Sequence, residues 1–146
     1  MAFPAPQLSL KGRALRLLSQ REHSRVELER KLAPHEVEPG TLARALDELQ
    51  AKGFISEERV VESVIHRRAS KLGTARVQQE LLAKGLSTQA VVEALEQLRS
   101  TELERAHEVW SRKFGQPASD PKERARQMRF LLSRGFAADV VRKVTG

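Results

Sequence analysis

The chain has no cysteine and no tyrosine, and aromatic residues make up only 4% of its 146 positions. Without cysteine there is no disulfide, no thiolate nucleophile and no cysteine-based metal site. With one tryptophan and five phenylalanines, stacking on nucleic-acid bases is a weak expectation, because a core of this size needs most of them. No apolar run approaches the length of a membrane span. The opening residues, Met1 to Gln7, lack the basic start and apolar stretch of a secretory signal, so a cytoplasmic location is expected. Strand-forming β-branched and aromatic residues are sparse, whereas Leu, Ala, Glu, Arg and Gln abound, and propensity favours helix nearly throughout.

Catalytic patterns are missing as well. The four histidines, His23, His35, His66 and His107, share no HExxH or i,i+4 spacing, so structural roles are favoured over metal ligation. There is no GxSxG elbow and no GxxxxGK[ST] phosphate loop. The acid pairs Asp47-Glu48 and Glu57-Glu58 sit where solvated faces and first helical turns put them, not where a desolvated cleft would tune a pKa. No catalytic residue, cofactor site or metal site is assigned, and the chain reads as a non-enzyme.

What is present is a repeat. Arg76-Val77-Gln78-Gln79-Glu80-Leu81-Leu82-Ala83-Lys84-Gly85-Leu86 returns fifty residues on as Arg126-Gln127-Met128-Arg129-Phe130-Leu131-Leu132-Ser133-Arg134-Gly135-Phe136. A fainter copy lies 49 residues upstream, where Leu28, Leu32, Leu42, Ala45, Leu46 and Leu49 correspond to Val77, Leu81, Val91, Ala94, Leu95 and Leu98. A long fixed period marks tandem supersecondary units that bury their apolar faces partly on one another. Cap signals divide each unit into three helices. Leu8 to Ser19 forms the first, with Ala14, Leu17 and Leu18 on one face. Ser24 to Glu27 is a capping box, Ser56 and Ser87 are N-caps, and Thr101 to Glu104 reads as a second capping box. That last helix is expected to turn Leu103, Ala106, Trp110 and Phe114 inward. Asp120-Pro121-Lys122-Glu123 opens the next. Gly53, Gly73, Gly85 and Gly135 all fall at helix ends, where capping accounts for them. The fold class is therefore all-α, about nine helices in three three-helix repeats: a flexible arm at 1–7, then repeats at 8–54, 55–100 and 101–146.

Charge is the remaining signal. The net charge is +7, as expected of proteins that meet polyanions. Arginine supplies 18 of the 26 basic residues, and its rigid fork suits phosphate and carboxylate. The charge is blocked: residues 63–84 hold five basic side chains against one acidic, and residues 120–146 hold seven against three. Solvated helix faces account for some of this, but solubility alone would be served by mixed signs. Arg67, Arg68, Lys71 and Arg76 can converge around the Gly73 turn. Arg126 and Arg129 share a helix face, and Arg134 follows. With Lys84, these eight are the candidate partner- or nucleic-acid-binding residues.

Three stretches in register resemble the bacterial RecX family. They are Ala14 to Ser19 with His23 to Leu28; Gly73 with Arg76-Val77, Glu80-Leu81 and Lys84-Gly85-Leu86; and Asp120 to Arg126 with Phe130 to Phe136. The resemblance spans roughly residues 8–146. One departure is Ile55-Ser56-Glu57-Glu58-Arg59-Val60, where the family commonly has an aromatic at the end of a Leu-Asp-Asp-Glu-Arg-Phe-like run. The resemblance implies a cytoplasmic regulator in DNA repair, homologous recombination and the SOS response. It implies binding to the filament of RecA on single-stranded DNA, with inhibition of filament extension, ATP hydrolysis and strand exchange. A monomer that contacts no membrane, with single-stranded DNA met through or alongside the filament, is the matching expectation. The rival reading is a basic helical module that binds DNA or RNA directly without RecA.

Overall fold

The computed structural model describes residues 8–146, and the expected arm at 1–7 lies outside them. The described residues form nine α-helices and no strand: α1 Leu10–Gln20, α2 Arg25–Leu32, α3 Thr41–Ala51, α4 Glu57–Arg68, α5 Thr74–Ala83, α6 Thr88–Ser100, α7 Glu102–Lys113, α8 Pro121–Ser133 and α9 Ala138–Thr145, with a single 3₁₀ turn at Ala33–His35 after α2. The chain divides into two compact units, one ending at Val60 and one running Val61–Gly146.

In the first unit, α1, α2 and α3 bury Ala14, Leu28, Leu32, Leu42, Leu46, Leu49 and Ile55 together, with Leu17 and Leu18 packed at the margin. The helix starts follow from their caps. The Ser24 hydroxyl accepts from the Glu27 amide at 3.2 Å while the Glu27 carboxylate accepts from the Ser24 amide at 3.1 Å. Two of the four orphan donors of α2 are thereby satisfied. The first helix starts two residues later than its apolar pattern suggests, because Ser9 caps it by accepting from the Gly12 amide at 3.0 Å.

In the second unit, Val64, Val77, Leu81, Val91, Ala94, Leu95 and Leu98 are buried. Ala106, Val109, Leu131, Phe136 and Val141 form a further cluster under Trp110, Met128 and Phe130. Ser87 and Asp120 act as N-caps, and Pro121 occupies the first turn of α8.

The start of α7 departs from its apolar pattern. Leu103 is 46% exposed, whereas Glu102 and Arg105 are buried beside Ala106 and Val109. Thr101 makes no capping hydrogen bond to α7; its hydroxyl donates to the Leu98 carbonyl and accepts from Arg105 Nε. The helix is rotated because its two polar residues serve other helix ends in the interior. Unmet backbone groups there cost more than one exposed leucine. Gln127 occupies the buried place that Val77 fills fifty residues earlier. It accepts from Trp110 Nε1 at 2.9 Å and donates to the Gln116 carbonyl at 3.1 Å.

Candidate functional site

The second unit brings two basic segments together at one junction. The last carbonyls of α8 would ordinarily lack partners, as would the first amides of α5. Here each set satisfies the other: Gly73 N–H donates to the Arg134 carbonyl at 2.8 Å and Ala75 N–H to the Gly135 carbonyl at 3.3 Å. The arrangement sets the partially negative end of α8 against the partially positive end of α5, the favourable order for helix dipoles.

Glycine is required on both sides. A Cβ on Gly73 would lie 2.3 Å from the Gly135 carbonyl carbon and oxygen. One on Gly135 would lie 2.3 Å from Arg76 Cγ, and Gly135 also has φ +91°. Gly73 itself has φ −76°, open to any residue, so close approach and not helix termination accounts for it. That corrects the helix-terminating role expected for this glycine, which stands instead at the N-cap of α5.

Three further contacts fix the junction. Arg76 Nη1 donates to the Ser133 carbonyl at 2.7 Å. Buried Glu102 accepts from the Thr74 amide at 2.9 Å and acts as a long-range cap for α5, whose own N-cap glycine has no side chain. Arg105 lies across the whole assembly: it donates to the carbonyls of Ala69 (3.0 Å), Leu72 (2.7 Å) and Leu98 (2.9 Å), and to the Thr74 hydroxyl (3.2 Å). Burial pulls its guanidinium pKa below the ordinary value, and the Glu102 carboxylate acts in the opposite direction.

Beside this junction lies an open groove of about 550 Å³. Six cations line it: Arg68, Lys71, Arg76, Arg112, Lys113 and Arg134; its other lining residues are Leu72, Val109 and Phe130. Charge from α4, the Gly73 turn, α5, α7 and the end of α8 converges with no acid among the lining residues. Glu80 stands behind it and accepts from Arg68 Nε at 3.2 Å. Arg134 and Lys113 lie 4.7 and 5.3 Å from the Phe130 ring centroid, which orients their charges by cation–π attraction. Phe114 meets the same ring edge-on at 5.5 Å. Phe130 is thus a support for cations, and nothing here presents it as an open stacking platform. Trp110 is half-buried, tied to Gln127 and tilted against His107.

Of the eight candidate binding residues, Arg68, Lys71, Arg76 and Arg134 line the groove. The other four do not. Arg67 is exposed, 3.8 Å from Glu80, and Lys84 is the C-cap of α5. Arg126 pairs with Glu123 at 2.9 Å and lies over Phe114. Arg129 is exposed on α8. Arg112 and Lys113 were not among the candidates. Their signal was a basic pair beside Phe114, lying between the charge blocks and so outside both. Arg112 also donates to the Ser70 carbonyl, tying the end of α7 to the turn after α4. Among the described residues no three His, Asp or Glu side chains converge as a metal site, and no helix is long and apolar enough to cross a membrane.

Family models match the chain in three consecutive segments: the first three-helix domain of RecX at residues 11–49, the second at 56–95 and the third at 100–145. This chain belongs to the RecX family. The regulatory protein RecX of Leptothrix cholodnii is 60% identical over 99% of the chain and 92% of its own length. That of Ralstonia nicotianae is 49% identical over 99% of the chain and 91% of its own. Crystal structures agree at the level of fold. RecX from Lactobacillus salivarius superposes with a TM-score of 0.76 at 18% identity, covering 92% of this chain and 91% of that one. Another regulatory protein RecX gives 0.74 at 19% identity, covering 92% and 70%. The second and third RecX domains contribute α5 and α8, whose ends meet at the groove.

Proposed function

We propose that this RecX-family chain is a non-enzymatic, cytoplasmic regulator that lodges on the RecA–single-stranded DNA filament through the basic groove of its second unit. Lodged there, it blocks filament extension and damps ATP hydrolysis and strand exchange. The observation that carries the reading is the convergence of six cations from four helices and one turn on a single concave surface, in a chain of a regulatory family. Guanidinium forks and ammonium groups held in a partly desolvated groove can pair with filament carboxylates or with phosphates of the enclosed strand.

The deciding assay is co-sedimentation with RecA filaments on single-stranded DNA, run against naked DNA at the same salt, together with RecA ATP hydrolysis. Preferential pelleting with the filament and slowed hydrolysis are expected. If the protein binds bare DNA tightly and leaves hydrolysis untouched, it is a nucleic-acid module instead.

A further inference from the structure

We infer that the junction between the ends of α8 and α5 is a positioning device: Gly73, Gly135 and Arg105 hold the two basic clusters side by side so that one polyanion engages both. This rests on the groove being a binding surface. The geometry behind it is specific. Lys71 lies in the turn between α4 and α5, and Arg134 is the C-cap of α8. These two belong to different repeats, and their backbones meet at Gly73 and Gly135. Arg105 does not line the groove. It grips the Ala69 and Leu72 carbonyls on either side of Lys71, so it fixes the turn that presents that ammonium. The other repeats show that glycine is not a general demand of the second helix. The corresponding N-caps are Ser24 and Asp120, each with its own side-chain cap. Only at α5 is the side chain given up, and the acceptor is supplied by Glu102 from 28 residues along the chain. Close approach to α8 is what that substitution achieves.

The test compares inorganic tripolyphosphate, a chain of three phosphates, with orthophosphate, a single one. Binding is measured by calorimetry on the full chain, and helical content by circular dichroism. Gly73→Ala forces the helix ends apart. Arg105→Lys keeps the charge but loses the fork, and it serves if Gly73→Ala does not fold. Each folded variant is expected to bind tripolyphosphate on the order of tenfold more weakly, with orthophosphate affinity unchanged. A structural role alone would not move the ratio of the two. Wild-type tripolyphosphate affinity in folded Arg105→Lys, or a parallel loss for both anions, overturns the positioning role. The groove reading is checked separately with Lys71→Glu combined with Lys113→Glu. If that reversal leaves tripolyphosphate binding intact, the groove itself is not the site; if it abolishes binding while Arg105→Lys keeps wild-type tripolyphosphate affinity, only the positioning role falls.

Discussion

Arg105 shows how much of the second unit depends on single polar side chains. It satisfies three carbonyls and a hydroxyl at the ends of α4 and α6 and the start of α5. Removing it takes the guanidinium from the Ala69 and Leu72 carbonyls and the Thr74 hydroxyl, while the Leu98 carbonyl keeps the Thr101 hydroxyl, at about 1–3 kcal/mol for each group that water cannot reach. Arg105→Ala should therefore lower unfolding free energy by about 3 kcal/mol or more, measured by urea denaturation; a loss below ~1 kcal/mol would mean water replaces the guanidinium. His23 gives a pH-dependent counterpart in the first unit. Its buried ring donates from Nδ1 to the Arg21 carbonyl at 3.0 Å and accepts at Nε2 from the Lys31 ammonium at 3.2 Å. Burial, aided by the charges of Arg21 and Lys31, lowers its pKa below the ordinary 6.5, with the Arg21 carbonyl and Glu27 opposing. Between the folded and ordinary values the unfolded chain binds more protons. Stability is then complete above pH 6.5 and falls as pH drops through the folded value. Denaturation at pH 7.5 and pH 5.5 should show a larger loss for wild type than for His23→Gln; parallel losses would remove His23 as the cause. The sequence gives Arg105 no signal and assigns His23 no more than a structural role. Polar residues carry no periodic signal, and what buries Arg105 and His23 is the placement of carbonyls far along the chain. Gly73 did leave a trace: fifty residues on stands Glu123, not glycine, so Gly73 lies outside the repeated pattern that explains Gly85 and Gly135.

At the scale of elements, the caps and the apolar period carry most of the fold. Ser24, Ser87 and Asp120 start the helices their patterns predict, because a side-chain acceptor three residues ahead of an orphan amide is a local matter. The period likewise places Leu81 and Leu131 in the interior, both fully buried. Truncating either should cost about 2–5 kcal/mol. Because adjoining repeats are coupled through their interfaces, Leu131→Ala should also speed amide exchange in α5. Exchange confined to α7–α9 would show the repeats to be energetically separate. Where local rules fail is α7. Leu103, Ala106 and Trp110 fit one helical face, yet Leu103 is exposed because Glu102 and Arg105 are needed inward. A pattern of apolar residues cannot register that demand, since the groups making it belong to α4, α5 and α6. The same limit hid the groove. Blocks of charge along the chain located Arg68, Lys71, Arg76 and Arg134, but joining them to Arg112 and Lys113 required the end-to-end meeting of α8 and α5.

For the molecule as a whole, the net charge of +7 is less informative than its local concentration. Exposed charges of mixed sign are screened within a Debye length, about 8 Å at physiological salt, whereas six like charges lining one groove reinforce each other's potential. Their mutual repulsion is relieved by a polyanion, so binding is expected to weaken with salt in proportion to the phosphates engaged. Contact with three phosphates of a single strand gives a slope of about −2 in log affinity against log salt, while contact with protein carboxylates gives a shallower one. Reversing two groove cations separates these cases. Arg76 is unsuited, because its guanidinium holds the Ser133 carbonyl and its stem packs on Gly135, and its loss would disturb the junction. Lys71→Glu with Lys113→Glu leaves those contacts in place. The double variant should keep its helical content, bind the RecA–single-stranded DNA filament at least tenfold more weakly, and lose about 1.4 units of salt slope if both cations meet phosphate. Co-sedimentation across a potassium chloride series measures both quantities. An unaltered affinity and slope would place filament contact elsewhere on the chain; reduced affinity with an unaltered, shallow slope would assign the groove to acidic side chains of the protein filament.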